Sequence, residues 1–320
     1  MTKKLITVYI TNYNYGKYIK RSIESVLGQN ISNYELIIID DGSNDNSKVI
    51  INEYKKNDKI NIIFQENLGL NATNNVAIQN SNGEYILRLD ADDYLETNAL
   101  ESMFNIMEEN NDVAMVFPDY YLIDVDDNVI GQVMRHDFEK DVQLYDQPAH
   151  GACTMIKSSV LRDVGGYDEQ FKCQDGYDIW LKIVGNYKIK NINEPLFYYR
   201  QHQNSLSKNE EEILKTRAQI KAKQVISRMI PEKSTIAVIP IRGANNDNNL
   251  LCFEDLGDKK IIDWTIIAAL ESENIKNVII TTNDKKIKQY VHNNYGNKIL
   301  VYERSNLSNQ RNRSAEMVVL

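Results

Sequence analysis

The chain has 320 residues, with 37 Lys and Arg against 45 Asp and Glu and a formal net charge of −8. An acidic balance with no Lys/Arg stripe interleaved with aromatics predicts no nucleic-acid partner, and no run approaches the roughly 20 apolar residues that a membrane-spanning helix needs. The N-terminus, Met1-Thr2-Lys3-Lys4, runs straight into a strand-like stretch instead of a signal-peptide core. A soluble, cytoplasmic protein is expected, and composition leaves open both contact with the inner face of a membrane and assembly into oligomers.

At roughly 150 residues per domain, the length suits two domains. Cys153, Cys173 and Cys252 are odd in number and far apart, which fits neither a disulfide framework nor a zinc site. His136, His150, His202 and His292 show no pairwise ligand spacing either.

Leu5 to Thr11 is β-branched and nearly continuous, as in a central strand covered on both faces. Asn12-Tyr13-Asn14-Tyr15-Gly16 breaks it with turn formers, and Ile19, Ile23, Val26 and Leu27 then recur at helical spacing. A second strand, Tyr34 to Ile39, ends in Asp40-Asp41-Gly42-Ser43 before a helix from Asn46. A third, Asn61 to Phe64, precedes a helix from Asn71 to Gln79. A fourth, from Tyr85, ends abruptly in Asp90-Ala91-Asp92-Asp93. This alternation predicts an α/β fold with a parallel sheet whose loops open on one side. The loops at Thr11 to Tyr13, Asp40 to Ser43 and Asp90 to Asp93 are then expected to converge on one crevice. There they would supply a ring to stack on a base, a carboxylate to accept from it, and hard oxygen ligands for a metal and a diphosphate.

An Asp-x-Asp spacing also arises at helix caps and turns. The chain holds its own control: Asp124-Val125-Asp126-Asp127 has the same spacing, but Asn128 and the strand-like Val129-Ile130 follow, which predicts a hairpin turn. Spacing alone leaves both readings of residues 90–93 open.

Several linked stretches carry a resemblance. Val8-Tyr9-Ile10-Thr11-Asn12-Tyr13-Asn14, Ser25-Val26-Leu27-Gly28-Gln29, Ile39-Asp40-Asp41-Gly42-Ser43, Asn67-Leu68-Gly69 and Leu89-Asp90-Ala91-Asp92-Asp93 together resemble the family-two inverting glycosyltransferases of GT-A fold. The resemblance implies a Rossmann-like mixed sheet flanked by helices. Thr11, Tyr13 and Asp41 would hold the nucleobase, Asp90 the ribose or the metal, and Asp92 a Mn²⁺ or Mg²⁺ bridging the two phosphates. The family often has Pro-Thr where this chain has Thr11-Asn12. Read without the resemblance, Asp41 is a turn or helix-cap residue, and Tyr13 is one surface aromatic among 19 tyrosines.

Beyond Asp93, Val113 to Phe117, Tyr120 to Ile123 and Val129 to Met134 read as strands, and the polar stretch from Arg135 to Asp146 as either a lid or a surface excursion. Gly151 to Ile156 and Ser158 to Glu169 match the family again, in the half that accepts the substrate sugar. They lead to Cys173-Gln174-Asp175, where the family's usual Glu-Asp has become Gln-Asp. An inverting transfer needs a base on the acceptor side of the sugar. Asp175 is the candidate, Asp178 on the same helix is the second choice, and the plain alternative for Asp175 is a helix cap. In Glu194 to Ser205 the resemblance implies that His202 completes the metal or diphosphate site and that Arg200 or Ser205 assists with phosphate. A lone His after a strand is otherwise more often structural.

The expected organisation is a glycosyltransferase domain at 1–208, a helical linker at 209–233 and an α/β segment at 234–320. The linker would cover the first domain, pair with a partner or act as a spacer. In the last segment Ile236 to Gly243, Lys260 to Thr265 and Val278 to Asp284 resemble the start of cytidylyltransferases that activate acidic sugars. The family's phosphate loop carries a lysine, but here it reads Gly243-Ala244-Asn245-Asn246-Asp247-Asn248-Asn249, so triphosphate binding should be weak. At roughly 87 residues the segment is short for a domain, and it is expected to be part of a longer unit or a degenerate packing module. The leading expectation is a metal-dependent transfer from a nucleotide sugar, with UDP the nucleotide implied, to a glycan or glycolipid acceptor in surface polysaccharide synthesis. The alternatives are cytidylyl transfer by the last segment and a non-catalytic nucleotide-binding assembly module.

Overall fold

Ile6–Asn12 forms strand β1, buried along its whole length, because its unbroken β-branched run has apolar partners on both sheet faces. The computed structural model describes residues 5–134, 151–184, 186–202, 210–228, 235–241, 250–273 and 275–302. These fall into two compact units, Met1–Ser227 and Arg228–Leu320.

In the first unit β1 is followed by α1 (Ile19–Leu27), β2 (Tyr34–Asp41), α2 (Ser47–Asn52), β3 (Ile60–Gln65), α3 (Leu70–Asn80) and β4 (Tyr85–Asp90). β1 to β4 are mutually parallel in the order β3-β2-β1-β4. The register pairs Thr11 with Ile39 on one side and with Asp90 on the other. The carboxyl ends of three strands therefore finish level, as the alternation predicts. Side chains alternate across the sheet: Val8, Ile10, Leu87 and Leu89 enter one core cluster, and Tyr9, Ile37, Ile39 and Ile86 the other.

The chain continues through β5 (Tyr94–Leu95), α4 (Ala99–Glu109), β6 (Val113–Ile123), β7 (Val129–Val133), β8 (Met155–Lys157), α5 (Ser158–Asp163), α6 (Asp175–Ile183) and β9 (Lys188–Arg200). β8 lies antiparallel between β4 and β6, β9 runs parallel to β6, and β5 closes the edge. The sheet is thus mixed and nine-stranded. The two strands expected at 113–117 and 120–123 are one strand, β6. Its ladder to β9 shifts register on either side of Asp119, next to Pro118, which has no N–H to give. Asp124 to Asn128 form the expected hairpin turn, with Asp127 at φ 68°.

Helix α7 (Glu210–Arg228) lies on the first unit. Ile220 is fully buried in the second core cluster, and Cys173 Sγ meets Thr216 Oγ1 at 3.3 Å. Among the described residues no helix is long and apolar enough to cross a membrane. The stretch 135–146 and Ser205 lie outside the described residues, as does the loop 243–249.

The second unit contains β10 (Thr235–Pro240), the hairpin β11 (Asp255–Leu256) and β12 (Lys259–Lys260), α8 (Ile261–Glu271), β13 (Ile275–Thr281), α9 (Lys285–Tyr295) and β14 (Ile299–Tyr302). β10, β13 and β14 form a parallel sheet over a separate core of Ile262, Ile266, Val278, Ile280, Ile287 and Val291. Asp284 caps α9 by accepting from Lys286 N and Ile287 N.

Candidate active site

The loops after β1 and β2 are zipped together by short polar side chains. Asn12 Nδ2 donates to Asp40 Oδ2 at 2.8 Å and to Ser43 Oγ at 3.0 Å, and Asn14 Oδ1 accepts from Asn44 N. Asn14 sits at φ 60°, a conformation that asparagine tolerates better than most residues. The turn leaves the Tyr13 ring 47% exposed while Thr11 is buried at the strand end. Asp41 does not cap α2. Its carboxylate accepts from Leu68 N at 2.8 Å, Gly69 N at 2.9 Å and Gln65 Nε2 at 2.8 Å. It thereby fixes the turn between β3 and α3, where Gly69 has φ 87°.

At the end of β4, Asp93 turns inward. It is buried and accepts from Arg200 N at 2.9 Å. Burial, reinforced by the charges of Asp92 and Asp90, holds its carboxyl well above the usual range. Asp92 points the other way: its Oδ2 lies 2.8 Å from His202 Nε2, a residue 110 positions later. His202 is packed between Tyr18, stacked at 6.3 Å, and the edge of Tyr15 at 5.7 Å. Burial together with the charges of Asp92, Asp90 and Asp93 raises the Tyr15 phenol, so it stays protonated beside the acids.

Arg200 is 1% exposed. Its Nε donates to the Asp92 carbonyl at 2.8 Å and Nη1 to the Asp124 carbonyl at 2.7 Å, and Nη2 pairs with Asp127. The guanidinium also lies 4.4 Å from the Tyr18 ring centre. The structure therefore places Arg200 beneath the acidic turn, and the hairpin at 124–128, read from sequence only as a turn, is its anchor. Asp127 additionally pairs with Arg21 at 2.7 Å.

Asp175 is the first residue of α6, and it meets Arg88, which donates from Nη1 to Asp175 Oδ2 and from Nε to Asp90 Oδ1 at 2.7 Å. Burial works against the Arg88 charge, but Asp175 and Asp90 outweigh it and raise the guanidinium well above its ordinary value. Asp90 itself is raised by burial and by Asp92, against the pull of Arg88. Asp178, the second choice for the base, is buried and pairs with Lys182 at 2.6 Å instead of Arg88. Gln174, in the left-handed conformation before α6, turns its Oε1 toward Arg217 Nε of α7.

The sequence reading passed over Arg88. The signal was present: it is the one charge inside the apolar run Tyr85 to Leu89. A buried strand carries such a charge only where partners neutralise it.

Asp92 Oδ2 and His202 Nε2 are a hard oxygen and an imidazole nitrogen within reach of one cation. They suit Mn²⁺ or Mg²⁺, ions that take few protein ligands and complete their shell with phosphate oxygens and water. Asp90 is less available, since Arg88 occupies its Oδ1. Among the described residues no group of three His, Cys, Asp or Glu side chains is placed to hold a metal ion.

The mixed sheet is shared with solved structures. S. aureus TarS residues 1–349 in complex with UDP-GlcNAc superpose with a TM-score of 0.59 at 19% identity, over 71% of this chain and 68% of that one. This likeness defines the GT-A class of fold. A family model described as Glycosyl transferase family 2 matches residues 7–165, and one described as Cytidylyltransferase matches residues 252–320. An uncharacterized glycosyltransferase of Methanocaldococcus jannaschii is 35% identical over 62% of this chain and 72% of its own length. The chondroitin synthase of Escherichia coli is 30% identical over 59% of this chain, which spans only 28% of that protein. The chain belongs to glycosyltransferase family 2, and the enzyme is a glycosyltransferase.

Proposed function

We propose that the enzyme moves a sugar, with inversion at the anomeric carbon, from a UDP-sugar to a hydroxyl of a glycan or glycolipid acceptor in surface polysaccharide synthesis. The observation that carries this reading is the gathering of Asp92, His202 and Asp175 about the end of β4, where Asp92 Oδ2 lies 2.8 Å from His202 Nε2 and Arg88 links Asp90 to Asp175. The UDP-GlcNAc held by the TarS structure and the polymer named in the chondroitin synthase match support the donor and acceptor classes.

The exposed Tyr13 ring stacks on the nucleobase, and Asp41 holds the neighbouring turn in place for it. Asp92 and His202, with Asp90 beside them, would hold Mn²⁺ or Mg²⁺, whose charge would offset that of a leaving diphosphate. Arg200 reaches phosphate only through the turn it supports, as its donors are directed at Asp92, Asp124 and Asp127. Asp175 takes the proton from the acceptor hydroxyl, whose oxygen bonds to the anomeric carbon. The bond from that carbon to the diphosphate oxygen breaks, and its electron pair departs with the nucleoside diphosphate.

Asp175→Asn should lower kcat by about 10²- to 10⁴-fold, the usual span for a general base, and leave UDP binding intact in calorimetry. Asp92→Asn should abolish the Mn²⁺-dependent part of UDP binding and the activity together. Full activity in either variant rejects that residue's role. The match of residues 252–320 to the Cytidylyltransferase model favours a second reading, nucleotidyl transfer by the second unit. The missing loop lysine argues against it, and no CTP-dependent pyrophosphate release is expected.

A further inference from the structure

We propose that Arg88 is the positioning residue that fixes the base Asp175 relative to the donor side of the site at Asp90. This rests on the reading of Asp175 as the base. Arg88 stands opposite Tyr9 in the β1–β4 register, on the face that carries Ile86 into the second core cluster. Alternation therefore drives its side chain into the interior, where it is 5% exposed. A guanidinium there is costly unless both its charge and its donors are matched. The match comes from two carboxylates far apart in sequence: Asp90, two residues on along the same strand face, and Asp175, 87 residues later at the start of α6.

The geometry does more than neutralise charge. Nε holds Asp90 and Nη1 holds Asp175, so one rigid planar group sets the spacing between the strand that delivers the acidic turn and the helix that delivers the base. Arg88 is itself fixed from other sides. Its carbonyl accepts from Cys153 N at 2.7 Å, and Tyr9, beside it in the sheet, meets Tyr167 hydroxyl to hydroxyl at 3.2 Å. Lysine would keep the charge but not the fork, since an ammonium on a flexible stem cannot reproduce two fixed donors. Arg88 touches neither acceptor nor sugar in this role. It acts through the orientation of the Asp175 carboxylate, so its removal should appear in kcat and not in donor binding.

The test is steady-state kinetics on Arg88→Lys, Asp175→Asn and the double variant, with folding of each checked by thermal unfolding. Arg88→Lys retains the interior charge and should fold. Its kcat should fall by about 10- to 100-fold, as for residues that orient a functional group from behind, while KM for the UDP-sugar stays within about threefold. In the Asp175→Asn background the same change should cost no further activity, because the group it orients is gone. Full kcat in Arg88→Lys, or a rise in donor KM at unchanged kcat, overturns the proposal, and if Asp175→Asn is meanwhile inactive the functional reading stands. Full activity of Asp175→Asn overturns both.

Discussion

Asp175 and Asp178 begin one helix and differ in fate by a single turn. Asp175 reaches a guanidinium that links it to the acidic turn, whereas Asp178 is buried against Lys182. Burial raises the Asp178 carboxyl even though Lys182 lowers it. Because its folded value lies above its unfolded one, its contribution to stability is fully present below the unfolded value and is lost as pH rises through the folded one. Asp178→Asn should therefore flatten the loss of stability on that limb in a series of urea melts, and it should leave sugar transfer intact. Arg200 shows a different dependence. Its backbone N–H to Asp93 would survive in Arg200→Ala, but the Asp92 and Asp124 carbonyls would lose their guanidinium donors, so the change should cost about 1 to 3 kcal/mol of unfolding free energy, the range for buried polar groups left unsatisfied. Arg88, Arg200 and His202 acquire meaning only from partners distant in the chain. The sequence named two of the three, through a family resemblance and not through spacing.

At the scale of elements, the site depends on loops that are stiff before any ligand arrives. The turn after β2 shows why. Gly42 has φ +80°, and a Cβ placed on it would lie 2.8 Å from Asn67 N. Both the conformation and the space exclude a side chain there. Gly42→Ala should destabilise the unit by at least about 1 to 3 kcal/mol, read as a lower urea midpoint, and should weaken UDP binding by displacing the Asp41 and Asn67 turn. The Asp40-Asp41-Gly42-Ser43 stretch was legible as a loop from its turn formers. That Asp41 serves the β3–α3 turn was not, because a carboxylate's choice between ligand and backbone N–H depends on which loop the sheet places beside it. The mixed character of the sheet was implied by the family resemblance and not by periodicity. Three-residue β8 and the kinked β6 are too short or too irregular for periodicity to give their direction.

At the scale of the molecule, each unit has its own core, and every residue assigned to the transfer reaction lies before Ser227. A chain ending at Ser227 should keep α7 and retain sugar transfer in a UDP-release assay. Loss of activity in that folded chain would show that the second unit contributes to catalysis. Within the second unit Asp263 accepts from the hydroxyls of Tyr290 at 2.7 Å and Tyr295 at 2.6 Å, tying α9 to α8.

The sequence by itself determined the α/β alternation, the parallel strands whose loops open on one side, and the family to which those loops belong. All of these are encoded locally, in side-chain period and in short motifs. Only the tertiary structure decided that Asp92 faces His202, that Arg200 supports the turn from below and that Arg88 joins Asp90 to Asp175. Such pairings depend on strand register and helix docking across about a hundred residues of chain, and desolvation then selects which buried charges must meet.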